Sequence, residues 1–134
     1  MLDLRNSREL IEYHWNSLDL RSELPCSEKE YWNRSGPVSV QANSQRRYNR
    51  TYLREIGILH SKEGDLAVYA KDLSRMGIGF YSPVQLFPCD RVELQIPGKI
   101  LLNLKIVRCL RIRDRCFDCG TVFGFSTDNS GLNR

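Results

Sequence analysis

Along the C-terminal two thirds of the chain, apolar and polar residues alternate in short runs. Val92, Leu94 and Ile96, for example, are separated by single polar residues. A period of two is typical of strands that bury one face. Comparable runs cover residues 51–60, 65–71, 77–81, 99–112 and 116–125. Because turn-forming residues separate these runs, the pattern predicts an all-β domain of antiparallel strands joined by turns.

The longest run, residues 99–112, is interrupted by a charge. Its apolar positions predict one inward face, made of Ile100, Leu102, Leu104, Ile106, Leu110 and Ile112. Arg108 falls in phase with them, and burying an unpaired guanidinium would be costly. A β-bulge adds one residue to a strand, so a bulge near Val107 is expected to turn Arg108 outward.

The N-terminal residues follow a helical period instead. Over residues 7–20 the apolar side chains recur every three or four positions, at Leu10, Ile11, His14, Trp15 and Leu18. Ser7 is a suitable N-cap. This pattern predicts an amphipathic helix whose apolar face is buried against the domain, a second copy of the chain or a partner protein.

Residues 22–43 show a weaker pattern, with Pro25 and Gly36-Pro37 as breaks, and are expected to form a connector. A brief strand is expected near its end, where Val38, Val40 and Ala42 alternate with other residues. Tyr31 and Trp32, within the connector, are expected to be packing residues, with a platform for base stacking as the alternative. The polar residues 126–134 are expected to form a tail.

The length of the chain is that of one small domain, and its charged residues are unevenly distributed. The chain has 134 residues, of which 41% are hydrophobic, enough for a modest core. Residues 1–44 contain 5 Lys and Arg against 7 Asp and Glu, whereas residues 45–134 contain 15 against 9. The basic part would attract an anionic ligand such as a dinucleotide or a nucleic acid.

The cysteines and the hydropathy of the chain favour a cytoplasmic protein. Five cysteines form no disulfide-framework spacing, and Cys116 and Cys119 lack the second pair of ligands that a zinc site requires. We therefore expect free thiols and no metal. No apolar run is long enough for a transmembrane helix, and the N-terminus lacks the pattern of a secretory signal, so membrane insertion is not expected.

An arginine-rich signature lies immediately before the predicted strand at residues 51–60. Arg46, Arg47 and Arg50 lie within the hexapeptide QRRYNR, and the first and last of them form an R-x-x-x-R pattern. A guanidinium is always charged and presents a planar fork of donors. It can therefore bind a phosphate or the O6/N7 edge of guanine through two hydrogen bonds, or stack on a base.

A second polar signature lies about two strands further on. Asp72, Ser74 and Gly77 form a D-x-S-x-x-G pattern between two predicted strands. Asp and Ser can cap backbone N–H groups of a turn or accept hydrogen bonds from a guanine. Glycine permits a positive φ and the close approach of a ligand. The two signatures are expected to meet at one end of a small sheet.

In this order and context, the two signatures resemble the PilZ domain family over residues 45–125. The matching positions are Arg46, Arg50, Asp72, Ser74 and Gly77, with Gly120 and Phe123 in the last strand. The resemblance implies a six-stranded antiparallel β-barrel that binds the bacterial second messenger cyclic di-GMP. It implies that the ligand-binding residues are Arg46, Arg47, Arg50, Asp72, Ser74 and Gly77. The expected divisions are then residues 1–44, 45–125 and 126–134.

A receptor of this family would change conformation on binding the ligand and signal to a partner protein. The partner, or a second copy of the chain, is expected to contact the N-terminal helix, and DNA is not an expected partner. No catalytic constellation or cofactor motif is present in the sequence, so an enzyme is not expected. Two alternatives remain: a PilZ-like protein-interaction module without nucleotide binding, and a small basic barrel that binds single-stranded nucleic acid.

Overall fold

A computed structural model describes residues 3–38, 49–98 and 100–124. Within these ranges the chain forms two helices followed by seven strands. They are α1 (Asp3–Ser17), α2 (Glu28–Asn33), β1 (Thr51–Tyr52), β2 (Ile56–Ser61), β3 (Gly64–Leu73), β4 (Ile78–Ser82), β5 (Arg91–Ile96), β6 (Ile100–Arg113) and β7 (Cys116–Phe123). Neither helix is long and apolar enough to cross a membrane.

Six of the strands close into an antiparallel barrel. The strands pair in the order β3-β2-β5-β6-β7-β4, and an additional pairing between β4 and β3 completes the circle. The two-residue β1 adds to β3 next to that closing pair, with Tyr52 opposite Asp72. The predicted six-stranded antiparallel barrel with an N-terminal helix is thereby confirmed.

Alternation along the strands fills the barrel interior. Val92, Leu94 and Ile96 of β5 are all buried, as the period-two pattern predicted. They belong to one core with apolar residues from every other barrel strand. Those residues include Leu59, Leu66, Val68, Ile78, Phe80, Leu104, Ile106 and Cys119. Burial of these side chains is the main favourable contribution to the stability of the barrel.

The long strand β6 changes phase in its middle. A register shift lies between Ile106 and Arg108, which confirms the predicted bulge near Val107. Of the predicted inward face, Leu104 and Ile106 are buried, but Leu110 and Ile112 beyond the bulge are 57% and 48% exposed. Ile100, at the start of the strand, is also 44% exposed. One inserted residue exchanges the two faces of the strand for the residues that follow, and a second register shift lies between Arg111 and Arg113.

The N-terminal segment contains more helix than the sequence pattern indicated. The first helix begins at Asp3, so the prediction that Ser7 caps it was wrong. The connector contains the short helix α2, which we did not predict. Its N-terminus is a capping box: Ser27 accepts a hydrogen bond from the backbone N–H of Glu30, whose side chain in turn accepts from the backbone N–H of Ser27.

Both helices pack on the outside of the barrel. Ile11 and Trp15 of α1 join Tyr31 of α2 in a second apolar cluster with outward-facing residues of β2 and β3, such as Ile58 and Ala67. The indole N–H of Trp15 donates to the carbonyl of Val68 at 2.9 Å. Of the three expected surfaces for the apolar face of α1, the barrel is therefore the one it contacts.

Tyr31 fixes α2 to the barrel through its hydroxyl group. The ring is buried, as expected for a packing residue, whereas the same prediction was wrong for Trp32, which is 39% exposed. The Tyr31 hydroxyl donates to the carbonyl of Ala70 at 2.6 Å. The same oxygen accepts from the backbone N–H of Glu55 at 3.1 Å. Tyr31 thus joins α2 to β3 and to the segment between β1 and β2.

Removing that hydroxyl is expected to destabilise the fold. Tyr31→Phe leaves the Ala70 carbonyl and the Glu55 N–H without this partner, which costs about 1–3 kcal/mol of unfolding free energy. Urea unfolding followed by circular dichroism measures the difference. Tyr13→Phe, at a side chain that is 77% exposed, is the matched control. Equal midpoints for both variants and the parent would contradict this assignment.

Candidate ligand-binding site

The arginine signature lies partly outside the described residues. Arg46 and Arg47 belong to residues 39–48, as do two of the three positions of the brief strand expected near Val38. The chain on either side of this segment is paired. Val38 donates from its backbone N–H to the carbonyl of Arg50 at 2.9 Å, and Pro37 forms an antiparallel bridge with Thr51. The two ends of the arginine segment are therefore held side by side.

Arg50 and Asp72 meet on the outer face of the barrel. The Nη1 of Arg50 lies 3.2 Å from the Oδ1 of Asp72 and donates a hydrogen bond to it. The Asp72 side chain is only 5% exposed, whereas that of Arg50 is 29% exposed. The Nε of Arg50 is buried and has no hydrogen-bond partner among the described residues. The structure thus brings one residue of each signature together.

Ser74 organises the turn that follows β3. Its Oγ accepts hydrogen bonds from the backbone N–H groups of Met76 at 3.1 Å and Gly77 at 3.3 Å. Its own backbone N–H donates to the Gly77 carbonyl at 2.9 Å. Of the two roles that the sequence allowed for Ser74, capping the turn is the one seen here. The turn is consequently closed on itself beside Asp72.

Gly77 is required because of close packing. Its φ is not positive, so the left-handed conformation that glycine permits is not used at this position. A Cβ at this position would lie 1.9 Å from the carbonyl oxygen of Thr121 on β7. No real Cβ contact is that short, so only glycine allows the turn to lie against β7.

A row of directly opposed residues crosses four strands at this level of the barrel. Asp72 of β3 is paired with Gly79 of β4, Gly79 with Gly120 of β7, and Gly120 with Arg108 of β6. All four positions face outward. Two adjacent glycines therefore lie between a carboxylate and a guanidinium, and we call this row the diglycine floor.

A cluster of charges borders the diglycine floor. Asp118 of β7 binds Lys71, with 2.7 Å between Oδ2 and Nζ, and lies 3.8 Å through Oδ1 from the Nη2 of Arg108. Lys71 occupies the bulge between Ala70 and Asp72, which turns it outward beside its neighbour. Sequence reasoning treated Arg108 only as a break in a strand pattern and missed Lys71, Gly79 and Asp118, because their proximity depends on register between distant strands.

Aromatic residues and another arginine adjoin Arg50. The guanidinium of Arg54 lies 4.4 Å from the ring centroid of Tyr31 and 4.7 Å from that of Tyr52. Arg34 donates to the Tyr52 hydroxyl at 3.2 Å. These cation–π contacts and hydrogen bonds connect α2 to the strand that begins immediately after Arg50.

The cysteines lie in two different apolar clusters. Cys116 contacts the N-terminal cluster outside the barrel, whereas Cys119 contacts the barrel core, as expected for residues three apart on a strand. Burial raises the pKa of the Cys116 thiol to about 11 and also raises the pKa of Cys119. All five cysteines are free thiols. Within the described ranges no group of three or more potential ligands is arranged for a metal ion.

The comparisons with known proteins identify the family. A family model described as the PilZ domain matches residues 44–133, which is more than half of the chain. The chain therefore belongs to the PilZ domain family, whose members are binding and adaptor modules. Comparison with the curated proteins finds no match. The ligand-binding roles of Arg46, Arg47 and the other signature residues stay predictions.

The close approach at Gly77 predicts a strong effect of a single methyl group. Gly77→Ala forces the turn away from the Thr121 carbonyl and is expected to lower the unfolding free energy by about 3 kcal/mol. Gly124→Ala is the control, because a Cβ there has contacts of 3.5 Å or more and costs about 0.5 kcal/mol or less. Thermal or urea unfolding compares them. A Gly77→Ala protein as stable as the control would contradict the packing argument.

Proposed function

We propose that this protein is a cyclic di-GMP receptor without enzymatic activity that signals to a partner protein in the cytoplasm. The observation that supports this function best is the contact between Arg50 and Asp72, which unites the two signatures on the barrel wall of a PilZ domain. The proposed ligand-binding residues are Arg46, Arg47, Arg50, Asp72, Ser74 and Gly77.

The chemistry of the paired residues suits a purine dinucleotide. The Arg50 guanidinium has donors beyond the one used on Asp72, and these can bind a phosphate or the O6/N7 edge of guanine. The carboxylate of Asp72 can accept from the N1–H and amino groups of a guanine. Arg46 and Arg47, only a few positions before Arg50, would add charge for the two phosphates.

The hydrogen bonds on either side of Arg50 support a route for the signal. The backbone N–H of Tyr52 donates to the Gly36 carbonyl at 2.9 Å, and the Arg50 carbonyl accepts from Val38 at the same distance. A displacement of Arg50 on ligand binding would therefore also displace the segment that follows α2, through these two hydrogen bonds. Through Arg54 and Tyr31 it would also reach the helix itself.

The N-terminal segment is our proposed contact for the partner. The buried face of α1 is already used by the barrel, but Leu10 and Tyr13 on its other side are exposed. Residues 1–44 also have an excess of acidic residues, opposite in sign to the remainder of the chain. A ligand-dependent shift of this segment would present an altered surface to the partner.

The proposed function predicts that Arg50 contributes directly to binding. Titration calorimetry with cyclic di-GMP is expected to show that Arg50→Ala loses about 1–3 kcal/mol of binding free energy, the value for one bidentate contact. Arg46→Ala is expected to behave similarly. Arg111→Ala is the matched control, because Arg111 is exposed and pairs with Asp114 in the turn between β6 and β7.

Three other results would reject the proposal in distinguishable ways. Equal affinity for the parent and both variants would refute the site. Absence of binding by the parent, with capture of the same protein partner whether or not the dinucleotide is added, would favour an interaction module. Strongly salt-dependent binding to random oligonucleotides, with no preference for cyclic di-GMP, would favour a nucleic-acid-binding barrel.

A further inference from the structure

We propose that Arg108 is a further ligand-contacting residue, whose guanidinium provides a flat surface on which a purine base of the dinucleotide stacks. This inference rests on the proposed function. It concerns a residue outside both signatures, 31 positions after Gly77 in the chain. The register of the barrel strands, and not sequence proximity, places it in line with Asp72.

The two glycines of the diglycine floor are each covered by a charged side chain from a neighbouring strand. A Cβ on Gly79 would lie 2.8 Å from the Oδ1 of Asp72. A Cβ on Gly120 would lie 3.1 Å from the Nη2 of Arg108. Each glycine thus provides the space that lets a polar side chain lie down on the sheet instead of projecting away from it.

The guanidinium of Arg108 lies broadside over Gly120. Its Nη2, Cζ and Nη1 are at 3.1, 3.2 and 3.4 Å from that Cβ position, so three atoms of one planar group are almost equally close. A guanidinium that approached end-on would have one near atom and two distant ones. One planar face of Arg108 is therefore against the sheet, and the side chain is still 44% exposed.

The separation of Arg108 from Asp72 suits the two ends of a dinucleotide. They are three strand positions apart, and neighbouring strands are about 4.8 Å apart, so their Cα atoms are separated by roughly 14 Å. That is longer than a single purine. A base held at Arg50 and Asp72 would therefore leave the second base, across the ring of phosphates and sugars, near Arg108.

One carboxylate, that of Asp118, lies beside the guanidinium of Arg108. Asp118 lies 3.8 Å from the Nη2 of Arg108, while its other oxygen is bound to Lys71 at 2.7 Å. This ion pair is too long for a hydrogen bond, so it attracts the guanidinium toward β7 through charge alone. A planar cation in this position can stack on a base, which a lysine ammonium cannot do in the same way.

Titration calorimetry with cyclic di-GMP tests the stacking role by comparing Arg108→Ala with Arg108→Lys. Loss of one stacked base is expected to weaken binding by about 10-fold to 100-fold. The lysine variant is expected to bind as weakly as the alanine variant, because it keeps the charge but loses the planar face. Arg111→Ala, on the same strand, controls for the loss of one positive charge and is expected to match the parent.

A second variant moves the guanidinium without removing it. Gly120→Ala places a methyl group in tight contact with the end of the Arg108 side chain, so the guanidinium must shift by a few tenths of an ångström or turn from its flat orientation. The affinity is expected to fall at least several-fold. The melting temperatures of this variant and of Arg108→Ala are the control for folding. If both are near that of the parent, weaker binding results from the lost contact and not from unfolding.

The outcomes distinguish this inference from the proposed function. If the parent protein does not bind cyclic di-GMP, the proposed function fails. If the parent binds and Arg50→Ala weakens binding but Arg108→Ala does not, the site is right and the stacking role of Arg108 is wrong. Full affinity in Arg108→Lys would also overturn it, since a charge alone would then suffice.

Discussion

The pairing of β3 with β4 is the contact on which the rest of the molecule depends. It closes the barrel, and it also sets Asp72 opposite Gly79 and Leu73 opposite Ile78. The bulge at Lys71 in β3 turns both Lys71 and Asp72 toward the outside just before the closing pairs. A structural requirement, closure of the sheet, thereby fixes the position of the carboxylate that defines the candidate site.

The two apolar clusters on either side of the barrel wall give the N-terminal segment its importance. Tyr31 and Trp15 occupy the outer cluster and reach backbone carbonyls of β3 through their polar groups. Because Arg54 lies between Tyr31 and Tyr52, the same helix that covers the barrel wall also contacts the strand leading from Arg50. The residues that cover the apolar surface of the barrel are thus connected to the strand that follows Arg50, a residue of the proposed ligand site.

The sequence predicted the strands and the two polar signatures better than the barrel surface that lies beside them. Alternation identified β5 and the bulge in β6, since both depend on local pattern. The helix α2 was missed because it is only six residues long and its main signal is a capping box. The face of β6 beyond Val107 was wrong because a bulge reverses the phase. The diglycine floor could not be predicted from the sequence, because it results from pairing among four strands.

The most direct test is an NMR titration of the isotopically labelled protein with cyclic di-GMP, following backbone amide shifts. The account predicts the largest changes at Gly79 and Gly120, where the ligand would cover the barrel wall, and little change at Glu63 in the β2–β3 turn. That turn lies at the other end of β3, about 30 Å from Leu73 for a ten-residue strand. Changes centred on the β2–β3 turn, with Gly79 and Gly120 unmoved, would contradict it.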